Sequence, residues 1–236
     1  MSVRIHLPSR PSASIYSHNS EDQGHEQFFL IDLQNWREEK RNTSEYASRL
    51  EAERVIKNCY DSRSEELFLN ELGLTSIPSA IGFLKSLRLI NLENNHLTYL
   101  PSQIFDLENL KVLKLYHNNL HSLPDEISSL KKLEELDLEH NQLTSLPCEI
   151  YNLQHLKILN LSVNRLVSLP EGIRKLHHLQ QIILDYNPLT VPVELVQMPS
   201  GCRISVIECW ADPGLKALFA QRRLEMVYHP PILPIR

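Results

Sequence analysis

Histidine and cysteine are the side chains here that could carry chemistry near neutral pH. Among the eleven histidines are His117, His140, His155, His177 and His178; His117 and His140 stand 23 residues apart, and His140 follows Glu139. Such a set invites a zinc or acid–base reading. The four cysteines, Cys59, Cys148, Cys202 and Cys209, form no CxxC pair, the spacing that structural zinc sites use. They read as reduced, mostly buried thiols, with a Cys202–Cys209 bond conceivable only in an exported chain. No GxSxG nucleophile turn and no phosphate-binding glycine loop is present, and the chain has only six glycines. No catalytic residue, resident metal or cofactor is therefore expected, and no enzymatic activity.

The elements that position these residues follow from an internal repeat. Asn95, Asn118, Asn141, Asn164 and Asn187 recur every 23 residues, each inside an LxLxxNxL frame such as Leu113, Leu115, Asn118 and Leu120. The second half of the unit recurs as Leu100-Pro101, Leu123-Pro124, Leu146-Pro147 and Leu169-Pro170, with an isoleucine three residues beyond each proline. An earlier copy, from Leu67 to Ile77-Pro78, has Leu72 at the asparagine position, as expected of a terminal unit. Leu-x-Leu alternation predicts a short strand with two side chains inward. The asparagine turns in at its end to bond backbone groups of its own and adjacent copies, because an unpaired buried polar group costs about 1–3 kcal/mol. Proline lacks the N–H to extend a sheet, so Leu-Pro begins a convex return path of extended chain or short helical turns.

This is the leucine-rich-repeat signature, and it implies an α/β solenoid: a horseshoe with short parallel strands on the concave face, a helical N-terminal cap and a helical C-terminal cap. Four segments follow: a disordered, Ser- and Pro-rich 1–25; a helical cap over 26–62; six repeats over 63–191; and a C-terminal cap and tail over 192–236. In the first cap, Phe28, Phe29, Ile31, Leu33 and Trp36 cluster, Asn42 with Glu45 suits a helix start, and Tyr46, Leu50, Val55, Ile56 and Cys59 offer a face to cover Leu67. At the far end the repeat shortens near Val191-Pro192. A seventh strand is expected at Arg203–Ile207, and a helix after Asp212-Pro213 carrying Leu215, Leu218, Phe219 and Leu224.

Strand alternation assigns the solvent-facing columns. The first holds Glu66, Leu89, Val112, Glu135, Ile158 and Gln181; the second Phe68, Asn91, Lys114, Asp137, Asn160 and Ile183. The third holds Asn70, Glu93, Tyr116, Glu139, Ser162 and Asp185; the fourth, at the strand ends, Glu71, Asn94, His117, His140, Val163 and Tyr186. Seven carboxylates face Lys114 alone, amid apolar and aromatic groups. That combination suits a protein interface whose partner presents a basic surface. An open sheet offers His117 and His140 no deep pocket, which argues against a catalytic or metal role.

The whole chain supports the same class. Its net charge of -5 lacks the basic excess of a general nucleic-acid binder. No apolar run approaches the ~20 residues of a membrane span, and the N-terminus has no signal-peptide core. A monomer in the cytoplasm is expected, with no nucleic-acid or membrane partner.

The stretch from Trp36 through Leu74, ending EELFLNELGLTSIPSAI, resembles the helical cap and first repeat of bacterial leucine-rich-repeat effectors. These include the novel-E3-ligase ubiquitin ligases and the non-enzymatic Yersinia-type outer protein; VELVQMPSGCRISVIE resembles the segment that closes the ligases' repeats. The resemblance spans roughly 30–215 and implies an effector, exported by bacteria into a host cytosol, that binds a host protein. It departs in repeat length: the copies here have 23 residues, against roughly 20 in those effectors, and the longer form is similar to intracellular Ras-group scaffolds. The ligases also carry a Cys-x-Asp nucleophile in a large helical domain, whereas Cys209-Trp210-Ala211-Asp212 is one residue too long. The alternatives are therefore an intracellular signalling scaffold, or the recognition part of a ligase effector without its catalytic domain. Thioester formation on Cys209 in a ubiquitin-loading assay, abolished by Cys209→Ala, would overturn the non-enzymatic reading.

Overall fold

The computed structural model describes residues 19–189, 195, 198–199 and 201–206, and the backbone alone of 19–23 and 225–227. Two helices, α1 (Asn19–Glu38) and α2 (Tyr46–Ser62), precede a parallel sheet of eight three-residue strands in sequence order. These are β1 (Glu66–Phe68), β2 (Leu89–Asn91), β3 (Val112–Lys114), β4 (Glu135–Asp137), β5 (Ile158–Asn160), β6 (Gln181–Ile183), β7 (Arg203–Ser205) and β8 (Glu225–Val227).

The register is the one the repeat dictates: Leu89 pairs with Val112, Val112 with Glu135, Glu135 with Ile158 and Ile158 with Gln181. The middle residue of each strand points inward and is buried, from Leu67 to Ile204. After each of Pro78, Pro101, Pro124, Pro147 and Pro170 the chain makes one 3-10 turn of five residues, the convex return path. The proline sits just before the turn, with extended backbone, where its missing N–H costs nothing. One continuous apolar core of stacked leucines and isoleucines runs from the cap to Ile204.

The asparagines make a continuous ladder. Asn141 Oδ1 accepts the Leu120 N–H at 3.0 Å, while its Nδ2 donates to Leu115 O at 2.9 Å and Leu138 O at 3.1 Å. Asn95, Asn118, Asn164 and Asn187 repeat this pattern. Each amide bonds the repeat before it, so an asparagine at Leu72 would have no preceding repeat to bond.

In the cap, Phe29, Leu33 and Trp36 are buried, an i, i+4, i+7 stripe on one helix face. Phe28 (68% exposed) and Ile31 were expected in the same apolar cover but lie a quarter turn or more off that stripe and are exposed, and Leu50 of α2, expected to face the first repeat, is exposed as well. Three further corrections concern ends. The segment expected to be disordered through residue 25 is helical from Asn19, with Glu21 and Asp22 in the first turn, where carboxylates favour a helix N-terminus. Asn42 does not cap α2; the helix starts after Glu45, whose carboxylate is drawn instead to the first repeat. Glu225–Val227, expected in the C-terminal helical cap, is a strand that continues the sheet beside β7. The seventh strand is present at Arg203–Ser205. The Val191-Pro192 shortening, Cys209 and the helix expected after Asp212-Pro213 lie outside the described residues.

Arg49 locks the cap to the repeats. It is 1% exposed and packs its guanidinium 4.6 Å from the Trp36 ring centre. It donates to Glu45 Oε1 (2.9 Å), to Ser76 Oγ (2.8 Å) and to the Trp36 carbonyl, while the Trp36 indole N–H also reaches Ser76. Glu45 then accepts the Thr75 N–H and hydroxyl. Asp32 of α1 accepts the Ser79 hydroxyl and the Ala80 N–H at the first 3-10 turn.

Candidate functional site

The first two columns lie where alternation places them, but their side chains are less open than a bare sheet suggests. Leu89, Val112, Ile158, Ile183, Glu135 and Gln181 are half-buried, and Phe68 is exposed. Several polar residues of the second column are occupied by the backbone. Asn91 Oδ1 accepts the Glu93 N–H (2.9 Å), Asp137 Oδ1 the Glu139 N–H (3.1 Å) and Asn160 Oδ1 the Ser162 N–H (3.2 Å). They hold the bend that ends each strand, a local turn motif typical of Asn and Asp.

The carboxylates gather around repeats two to four. Glu93 accepts from Asn91 (3.1 Å) and lies 3.8 Å from Lys114; Glu139 accepts from Asn160 (2.8 Å). Burial pushes the Asp137 carboxyl up, and the charges of Glu139, Glu93 and Glu135 push it further, against the lowering effect of the Glu139 N–H. Outside this cluster, at the strand starts, Glu134 is clasped by Lys111 (2.7 Å) and Lys157; hydrogen bonds from the two lysines lower it to about 2.

Two expected interface residues behave differently. Asp185 is buried, because β7 lies alongside and Ser205 Oγ donates to its Oδ2 at 2.9 Å. Ser162, in the same column, is buried on Asn160. Glu66, Glu93, Glu135, Asp137 and Glu139 thus remain on the face with Lys114.

The fourth column leaves the concave plane. Asn94, His117, His140, Val163 and Tyr186 all have left-handed backbone, with φ of 54, 52, 57, 52 and 56 degrees. This turn aims His117, His140 and Val163 into a groove along the C-terminal edge of the sheet. The ladder amides form its floor, and His96, Asn119, Gln142 and Arg165 form its outer wall. The rings of His117 and His140 meet edge to face at 4.8 Å, with Tyr116 edge-on to His140 at 6.2 Å. The outer-wall residues were not singled out from the sequence. The available signal was their 23-residue recurrence directly after each ladder asparagine. His155 and His178 stack elsewhere, 6.4 Å apart, with His155 Nδ1 on the Lys131 carbonyl. Among the described residues, no three His, Cys, Asp or Glu side chains converge as metal ligands, and no helix is long and apolar enough to cross a membrane. Cys59 and Cys202 are buried thiols and Cys148 is exposed.

Two leucine-rich-repeat family models match residues 85–143 and 155–176. No curated protein matches the chain. Among solved structures, a Shigella effector LRR domain is 24% identical, with a TM-score of 0.63, over 86% of this chain and 97% of that one. A Leptospira interrogans LRR protein is 29% identical, with a TM-score of 0.48, over 73% of this chain; the chain spans 57% of that protein's length. The LRR ectodomain of the Arabidopsis thaliana receptor kinase SOBIR1 is 32% identical, with a TM-score of 0.47, over 52% of this chain and 71% of its own. The repeat that orders the sheet is thus the leucine-rich repeat that the family models describe, and the chain has the leucine-rich-repeat fold.

Proposed function

We propose that the chain is a protein-binding module whose contact surface is the acidic part of the concave sheet, and that it takes a partner with a basic surface. The observation that carries this is the pairing of a half-buried apolar row, Leu89, Val112 and Ile158, with the carboxylates around Asp137. Apolar groups surrounded by charge suit a desolvated interface, and like charges held together attract an opposite partner over long range. Asp137 is raised by burial and by its neighbours, a cost that an incoming lysine or arginine relieves. Repeat solenoids present such broad curved faces as binding surfaces rather than as catalytic clefts.

The test is affinity capture with the full chain, repeated with Glu135→Lys and Glu139→Lys together. Asp137 is spared, since its carboxylate holds the Glu139 N–H. A partner retained unchanged by the folded double variant refutes the assignment. Binding should also weaken with salt, because exposed charges more than about 8–10 Å apart are screened near physiological ionic strength.

For setting, we propose a bacterial effector acting on a host protein, supported by the resemblance of the cap and first repeat to such effectors. The 23-residue repeat favours the second reading, an intracellular scaffold. A translocation reporter fused to residues 1–25 separates them: export supports the effector, and retention supports the scaffold.

A further inference from the structure

The edge groove differs in character from the acidic columns beside it. Its floor amides are committed to the backbone ladder, so its available donors are the other side chains, His96, His117, Asn119, His140, Gln142 and Arg165. No carboxylate lines it. Arg165 is exposed and makes no ion pair among the described residues, while Glu135 stands on β4 and Glu93 and Glu139 two residues past the ends of β2 and β4. Across its width the binding face is therefore bipolar, acidic on the strands and cationic to neutral at their C-terminal edge. Three of the groove's residues are held in a backbone conformation that L side chains adopt at a cost. Val163 is the extreme case, since β-branched residues rarely accept it. Local strain of this kind collects where a side chain must be aimed.

We infer that the groove takes an extended peptide segment of the partner, lying across the strands with an aromatic residue at the Tyr116–His117–His140 cluster and an acidic residue at Arg165. This rests on the protein-binding reading and deepens it, because it fixes the direction of the bound segment. Adjacent strands lie about 4.8 Å apart and an extended chain rises about 3.3 Å per residue. The one to two repeats from the ring cluster to Arg165 thus correspond to two or three residues. The segment's aromatic group packs edge-on against rings already arranged that way, and its carboxylate completes a charge that the chain leaves open. The acidic columns then receive basic groups from the same partner.

The experiment is selection of a displayed random dodecapeptide library on the full chain, followed by affinity measurement of one synthesised winner. The expected winners place Asp or Glu two or three residues from an aromatic residue. Binding of the synthesised peptide should fall tenfold or more with Arg165→Glu, and recover when the peptide's acid is exchanged for lysine. His117→Asn with His140→Asn should also weaken it; asparagine accepts the left-handed backbone, so these variants keep the turn. No enrichment, or winners indifferent to Arg165→Glu, overturns the inference. Winners lost only with Glu135→Lys and Glu139→Lys overturn the groove while supporting the acidic face. Winners lost only with Arg165→Glu support the groove and count against the acidic face.

Discussion

Asn141 ties two repeats together through one amide, satisfying the Leu120 N–H and the Leu115 and Leu138 carbonyls in a dry interior. Alanine there leaves the Leu120 N–H without a partner, while the Leu115 and Leu138 carbonyls each keep one amide, from Asn118 and Asn164. At about 1–3 kcal/mol for a stranded buried group, Asn141→Ala should lower unfolding free energy by that amount in a urea titration. A loss under about 1 kcal/mol would mean that water enters the ladder. Leu72→Asn should give no gain, since no repeat precedes it to be bonded. Val163 makes the opposite case. At φ 52 it holds a left-handed bend that asparagine tolerates and a β-branched residue does not. Val163→Asn should raise the urea midpoint, by about 1 kcal/mol in stability, and any drop would show that its packing in the groove outweighs the backbone cost.

At the scale of elements, the cap is held by polar contacts as much as by apolar burial. Burial raises the Glu45 carboxyl, but the Thr75 N–H, Arg49 and the Thr75 hydroxyl together outweigh it and leave it below the usual range. A carboxylate depressed on folding stabilises above its unfolded value, 4.5, and that stability is lost as pH falls through the lower folded value. Glu45→Gln should therefore weaken the cap near pH 7 and flatten the loss seen in acid, read by hydrogen exchange of α2 amides. Arg49→Ala removes the contacts to Ser76, Trp36 and Glu45, whose carboxylate keeps Thr75 and Lys40, and should cost about 1.5–3 kcal/mol. These contacts were hidden in the sequence. Phe29, Leu33 and Trp36 announced a helix face by their spacing, whereas Arg49 is one charge among many on α2, and its partner Ser76 is 27 residues away. The strands were legible because the repeat aligns six of them at once. The left-handed bend was not, because Val, Tyr and His occupy it as often as Asn. Asp185 was misplaced for a related reason: its column was read from alternation, while its burial depends on Ser205, beyond the last recognisable copy.

At the scale of the whole molecule, each repeat touches only its neighbours, so stability is approximately a sum of unit and interface terms. That permits folding and binding to be separated in one chain. Excising residues 119–141 removes 23 residues in phase and joins Asn118 to Gln142. Leu143 then stands where Leu120 stood, two residues past a ladder asparagine, and the Asn164 amide can bond its N–H as before. Both ends keep their neighbours. The excised unit carries Glu135, Asp137, Glu139 and His140, the centre of the acidic face and half of the histidine pair. The expected product is a folded solenoid with cooperative unfolding, reduced stability and no affinity for the partner. Removing 119–142 instead deletes the residue between asparagine and leucine, so the Leu143 N–H loses its place on the ladder and stability should fall much further. Circular dichroism and urea titration of the two deletions measure the fold, and capture of the partner by the shorter excision measures the site. Full binding by the folded 119–141 deletion would move the interface off repeats three and four, to the tails or the convex side.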